Sequence, residues 1–259
     1  MTTPAAVTCV HGFSQHGDSW DELRAHVPGE RRWLTPDVTA ATLAEAEAEL
    51  LGLWERDGVD RTDLVGYSQG GRIALFVAAG HPERVRTLTT IGAHAGFEGD
   101  RAERLASDLD LAGRIERDGI DWFAAYWAGL PLFAGLARRG PAFLERLDAG
   151  RRHNDPGLLA AQLRGMGAGA TVPFWDRLRG VDAPALVVAG AEDERYVAFA
   201  GRLARALPRA RVAIVPGAGH AVHLERPEAV AALLAQHLLT GADPASTAGP
   251  TTPPSRPSS

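Results

Sequence analysis

The sequence predicts an α/β fold: a mostly parallel sheet with helices on both faces, interrupted by a helical insertion. Three observations carry that expectation. Short apolar runs alternate with longer amphipathic ones along most of the chain, and strands interleaved with helices imply parallel pairing through helical crossovers. Residues 95–179 break the alternation with helix-like apolar spacing and no strand-like run. A serine, an acid and a histidine each fall just beyond an apolar run, where open parallel sheets gather their functional groups.

Taken in order, strands are expected at 6–10, 32–34, 63–66, 85–91, 185–189 and 212–215. Helical patterns lie at 43–54, 71–79, 197–206 and 227–239. The insertion carries "GIDWFAAYWAGL" and "AFLERLDAGR", both with apolar residues at helical spacing. From residue 241 the chain reads "GADPASTAGPTTPPSRPSS", with almost no large apolar side chain to offset the entropy of ordering, so disorder is expected. The resulting division is 1–94 and 180–240 for the two parts of the core, 95–179 for a lid and 241–259 for a tail.

Composition excludes several classes. Of 259 residues 45% are hydrophobic, enough for one large core. The net charge is -5 with Arg interleaved among Asp and Glu, which argues against a nucleic-acid or anionic-membrane surface. The single Cys9 lies in an apolar run and has no disulfide partner, as expected in a reducing compartment. No apolar run approaches the roughly 20 residues needed to cross a bilayer, and the first residues lack the basic-then-apolar pattern of a leader. A cytoplasmic enzyme without cofactor or metal is the economical expectation: no metal-ligand cluster or phosphate-cradling loop is present, and "GMGAGA" lacks the strand-then-helix setting of a nucleotide site. Its partner is expected to be a small molecule; the oligomeric state is open.

The chemistry is concentrated in "DLVGYSQGGRIAL", residues 63–75. Gly66-Tyr67-Ser68-Gln69-Gly70 has the G-x-S-x-G form directly after a strand and directly before a helix, the setting that form requires. Small residues flanking Ser68 permit a strained turn that lifts the hydroxyl clear of the sheet at a helix N-terminus, where developing negative charge is favoured. A serine hydroxyl needs a histidine to take its proton and an acid to orient that histidine. "PALVVAGAEDERY" puts Asp193 just past a strand, and "RVAIVPGAGHAVHLERP" delivers His220 on a glycine-rich loop. Glu192 and Glu194 are alternative acids, and His223 is the alternative base.

An oxyanion site needs two converging N–H donors. One should come from Gln69, the residue after the nucleophile, and the other from the loop after the first strand, "CVHGFSQHGDSW", in which Phe13 follows a His11-Gly12 turn. His11 reads as structural; His16, His26, His81 and His237 read as surface or loop residues.

These ordered motifs resemble the α/β-hydrolase superfamily over about residues 5–240. More narrowly, "LVGYSQGGRIAL", "IERDGIDWFAAYWAGLPLFAGL", "FWDRLRGVDAPALVVAGAEDERY" and "VPGAGHAVHLERPEAV" resemble the menaquinone-biosynthesis family that makes 2-succinyl-6-hydroxy-2,4-cyclohexadiene-1-carboxylate. That resemblance implies a lyase that uses its triad as a base to eliminate pyruvate from a substrate with three carboxylates. It further implies Tyr67, Arg72, Arg104, Trp127 and Arg151 as pocket residues. Arginine's planar fork suits carboxylates, and a hydrolase of neutral esters has little use for several of them in an apolar lid. The chain departs from the family pattern at Gln69, where Leu is common, at His94-Ala95, where Ser-Pro is usual, and in "GMGAGATVPFW" and "TPDVTAATLAE". The runner-up is a hydrolase of esters, lactones or carbon-carbon bonds; a non-catalytic ligand sensor would not need a complete triad. Arginines converging on Ser68 favour the lyase, and an apolar tunnel favours the hydrolase.

Overall fold

The computed structural model describes residues 6–97 and 99–241. Six strands form one sheet in the order β2-β1-β3-β4-β5-β6, every adjacent pair parallel: β1 Ala6–Val10, β2 Arg32–Leu34, β3 Thr62–Tyr67, β4 Val85–Ile91, β5 Ala185–Gly190 and β6 Ala210–Val215. Strand alternation sends side chains to two separate cores. Val10, Leu64 and Val187 pack with Leu50 and Trp54 of α2 (Leu43–Arg56), with Ile73 and Val77 of α3 (Gln69–Gly80), and with Leu203 of α7 (Glu194–Ala206). Val7, Cys9, Val65 and Val188 face the other way, onto Leu23 of α1 (Asp21–His26) and Val230, Leu234 and Leu238 of α9 (Pro227–Leu238). With both faces covered, β1 and β5 read as nearly continuous apolar runs, while β3 and β4 also bury Thr62, Asp63, Thr87, Thr89 and Thr90.

The expected strands and helices are all present, with ends moved by hydrogen bonding that composition does not display. Helix α7 starts three residues before the expected 197, because the Asp193 side chain accepts the Tyr196 N–H and caps it. Helix α2 opens on a capping box between Thr42 and Glu45. The short helices α1 and α8 (Val222–Glu225) were not expected; six and four residues are too few to show a helical period. His237 corrects the reading of it as a surface or loop residue. It lies on α9 with its side chain turned inward, 1% exposed, and its Nε2 is 3.1 Å from the Leu88 carbonyl oxygen. Cys9 is buried, and burial drives its thiol pKa far up.

Between β4 and β5 the chain runs through α4 (Arg101–Ala128), a 3-10 segment Pro131–Arg139, α5 (Pro141–Arg152) and α6 (Pro156–Met166), with no strand among the described residues. Ala112, Ile115 and Phe123 of α4 pack on Leu159, Ala160 and Leu163 of α6, and Phe13 and Trp127 join their edge. At Gly119 the backbone of α4 takes φ 82, a conformation open to glycine, and the helix turns there. The expected tail lies outside the described residues apart from Gly241. No helix among those residues is long and apolar enough to cross a membrane.

Candidate active site

The C-terminal ends of β3, β5 and β6 open toward the inserted helices, and the site is built there. Ser68 sits between β3 and α3 with φ 51 and ψ -111, a left-handed conformation that costs a non-glycine residue roughly 1–3 kcal/mol. Two glycines make the turn possible. A Cβ on Gly66 would lie 2.3 Å from the Gly70 carbonyl oxygen, and one on Gly70 would lie 2.1 Å from that of Val10. The turn is held by the Ser68 N–H donating to the Ile91 carbonyl at 2.9 Å.

His220 Nε2 is 3.1 Å from Ser68 Oγ, and its Nδ1 is 2.9 Å from Asp193 Oδ2. Asp193 Oδ1 accepts the Tyr196 N–H at 3.2 Å, so both carboxylate oxygens are engaged and the acid cannot swing away. The structure thereby chooses among the alternatives left open by sequence. Glu192 points to Arg138 at 2.9 Å, and Glu194 is exposed in the first turn of α7. His223 is buried between Trp20 and Tyr67, with ring centroids 4.7 and 4.3 Å away; neither of its nitrogens has a hydrogen-bond partner among the described residues, and burial pushes its pKa down to about 3.

Phe13 and Gln69 both line the cavity above Ser68. Gln69 is the first residue of α3, so helix geometry leaves its N–H without an intrahelical acceptor; among the described residues the Phe13 N–H has no acceptor either. The loop bearing Phe13 is clamped by His11. The Val38 N–H donates to its Nε2 at 3.0 Å, which leaves the proton on Nδ1 to donate to the Gly12 carbonyl at 2.9 Å. Burial lowers the His11 pKa and favours this neutral form, the structural role expected of it.

Apart from the buried Asp193, every residue that sequence assigned to the triad, the oxyanion site or the substrate pocket lines this one cavity: Phe13, Tyr67, Ser68, Gln69, Arg72, Arg104, Trp127, Arg151 and His220. Tyr67 is buried beneath His220 with centroids 5.3 Å apart, and burial holds its phenol well above the usual range. Trp127 stands edge-on to Phe13 at 5.2 Å. Arg104 reaches Asp108 at 2.9 Å, and Asp108 in turn accepts the Gly169 N–H at 2.9 Å.

Arg72 and Arg151 are each only 6% exposed, and neither has a carboxylate within ion-pair distance among the described residues. Arg72 Nη1 donates to the Met166 carbonyl and to Thr171 Oγ1, while Arg151 stands 5.7 Å from the Phe133 ring. Burial lowers the pKa of both. A charge withdrawn from water is normally paired, and here two guanidinium groups with no carboxylate partner among the described residues line one cavity.

Sequence reasoning missed two members of the wall, Arg195 and Tyr196, and noted a third, His94, only as a departure from the family pattern. Arg195, which has no ion-pair partner among the described residues, rests over Phe97 at 5.0 Å. Tyr196 lies 4.3 Å from the His220 ring. His94 projects from the loop after β4. Arg195 and Tyr196 directly follow Asp193 and Glu194 in "EDERY", so proximity to the acid was the available signal.

A strand-borne serine elbow, with its acid and histidine delivered by the two last strands of a parallel sheet, defines the α/β-hydrolase class. The chain matches the alpha/beta hydrolase family over residues 9–233 and belongs to it. Its relatives by sequence include proteins named 2-succinyl-6-hydroxy-2,4-cyclohexadiene-1-carboxylate synthase. A Bacillus subtilis (strain 168) protein provisionally named as that synthase is 34% identical over 246 residues, covering 90% of each chain. The synthase of Enterobacter sp. (strain 638) is 31% identical, covering 88% of this chain and 90% of its own. Among solved structures, MenH from S. aureus superposes with a TM-score of 0.86 at 22% identity, covering 93% of this chain and 96% of that one. A thermophilic esterase from Thermogutta terrifontis gives 0.81 at 24% identity, covering 93% and 92%.

Proposed function

We propose that this enzyme is a lyase that eliminates pyruvate from a succinylated, enolpyruvyl-bearing cyclohexene carboxylate, the reaction implied by the family resemblance and in keeping with sequence relatives named 2-succinyl-6-hydroxy-2,4-cyclohexadiene-1-carboxylate synthase. The observation that carries the reading is that Arg72 and Arg151, buried and with no carboxylate partner among the described residues, line the cavity that holds Ser68. Arg104 and Arg195 line the same cavity and add to its preference for a polyanion.

In this reading Ser68 Oγ, made basic by His220 and Asp193, takes the proton from the ring carbon beside the succinyl carbonyl and passes it to His220. The electron pair shifts through the ring double bond, and the carbon-oxygen bond to the enolpyruvyl group breaks. The departing enolpyruvate regains a proton and becomes pyruvate. The Phe13 and Gln69 N–H groups hold the charge that develops on the carbonyl oxygen, and the arginines keep the carboxylates aligned while the bond breaks. Tyr67 and Trp127 shape the apolar wall against the ring. The lone, buried thiol fits a reducing cytoplasm.

The test is to supply that substrate to the purified enzyme and follow pyruvate in a coupled assay. Release well above the uncatalysed background is expected; none, alongside brisk cleavage of small esters, would transfer the assignment to the hydrolase reading. That second reading is favoured by the apolar part of the lining, to which Leu132, Phe133, Leu136, Leu147, Leu163 and Met166 contribute.

A further inference from the structure

His94 is a polar side chain that the proposed reaction leaves without a task. It is 3% exposed, yet it lines the cavity. Its ring stacks on Phe199 with centroids 4.9 Å apart, which fixes the plane, and its Nδ1 accepts the Gly96 N–H at 3.1 Å. An amide N–H can only donate, so Nδ1 carries no proton and the neutral ring must carry it on Nε2. No described residue accepts from Nε2, and that atom is not sealed from the cavity. Burial, with the positive fields of Arg72, Arg195 and Arg104, holds the His94 pKa well below its usual value, so the ring is a neutral donor near neutral pH.

Arg72 is its neighbour. Gly71 and Ala93 approach so closely that a Cβ on Gly71 would lie 2.5 Å from the Ala93 Cβ, and the residues that follow each of them, Arg72 and His94, reach the same cavity. The Arg72 fork, however, is partly consumed. Nη1 is spent on Met166 and Thr171, and Nε is buried without access. Only Nη2 is left to meet a ligand, so Arg72 alone cannot grip both oxygens of a carboxylate in the bidentate manner expected of an arginine.

We propose that Arg72 and His94 form a composite carboxylate clamp, in which Arg72 Nη2 and His94 Nε2–H each donate to one oxygen of the same substrate carboxylate. His94 is then a specificity-determining residue of the site. The inference rests on the anionic-substrate reading above, and its test separates the two. The variants are His94→Phe, which keeps a flat ring against Phe199 but removes both nitrogens, and His94→Asn, whose amide can accept from Gly96 and donate to the ligand. Two measurements are made on each: KM and kcat for pyruvate release, and calorimetric affinity for an aromatic ring bearing one carboxylate and a succinyl chain, compared with the carboxamide in place of its ring carboxylate.

His94→Phe is expected to raise KM and the dissociation constant of the carboxylate probe by about tenfold, with a smaller effect on kcat, and to narrow the preference for carboxylate over carboxamide; His94→Asn should recover most of the loss. If the wild-type protein releases no pyruvate but binds the probe, and His94→Phe weakens that binding selectively for the carboxylate, the clamp stands and the lyase reading falls. Unchanged probe affinity in His94→Phe, an equal loss for carboxylate and carboxamide, or no binding of the probe by the wild type overturns the clamp.

Discussion

Glu225 holds the backbone on both sides of His220 without touching the imidazole. Its carboxylate accepts the Gly219 N–H at 2.8 Å and the Ala221 N–H at 3.2 Å, and Arg138 closes the group from outside at 3.0 Å. The histidine is thereby aimed by a carboxylate six residues beyond Gly219 and four beyond Ala221, itself only 3% exposed. In Glu225→Gln the amide can present an oxygen to one side only, leaving an N–H group facing an N–H donor on the other. A fall in kcat of about tenfold is expected, with KM little changed, and the buried mismatch should cost roughly 1–3 kcal/mol of stability. Steady-state kinetics with a thermal melt checks it; an unchanged kcat would show that the loop holds His220 unaided.

The triad geometry predicts that Ser68→Ala and His220→Ala each lower turnover by on the order of a thousandfold or more while leaving the melting temperature close to that of the parent, since members of such a unit fail together. Near-normal turnover by Ser68→Ala would refute the assignment of the base.

Arg72→Ala bears on the substrate. Because Arg72 is placed to keep a carboxylate aligned during elimination, the ratio of pyruvate release to cleavage of a small neutral ester should fall by about a hundredfold. Its replacement also orphans the Met166 carbonyl and Thr171 hydroxyl, so some stability is lost with it. Parallel losses in both reactions would point to an uncharged substrate.

Four buried histidines weaken the protein in acid, since burial lowers the pKa of His11 and His94 as well as those of His223 and His237. Burial pushes His223 down to about 3 and His237 to about 4, against an ordinary 6.5. Between those values and 6.5 the unfolded chain binds protons that the native chain does not, so stability is full above about 6.5 and is lost as pH falls through the window, by roughly 1.4 kcal/mol per pH unit for each group. Melting temperature should decline steadily from pH 7 to pH 5, and His223→Phe should flatten that decline. A melting temperature that holds or rises on acidification would contradict the assignment.

What the sequence determined by itself was whatever rests on neighbours along the chain. The strand-serine-helix order around Ser68, the acid after one apolar run and the histidine after the next are local patterns, and the parallel sheet follows from their alternation with helices. Tertiary structure decided the rest, because burial and charge pairing belong to the assembled chain. Glu192, Asp193 and Glu194 are equivalent in a string; only Asp193 meets His220 once β5 lies beside β6. His220 and His223 differ by three positions, and packing against Trp20 and Tyr67 takes the second out of contention. His237 looked like a loop residue until α9 turned it inward onto β4. An arginine in a helix is ordinarily solvated; that Arg151 is buried with no carboxylate partner among the described residues, and that Arg72 has already given Nη1 to the backbone of Met166, became visible only when the inserted helices closed over the sheet. Sequence names the groups able to do the chemistry, and the fold determines which are dry, which are paired and which are left facing the substrate, because desolvation and Coulomb energy depend on distances between residues far apart in the chain.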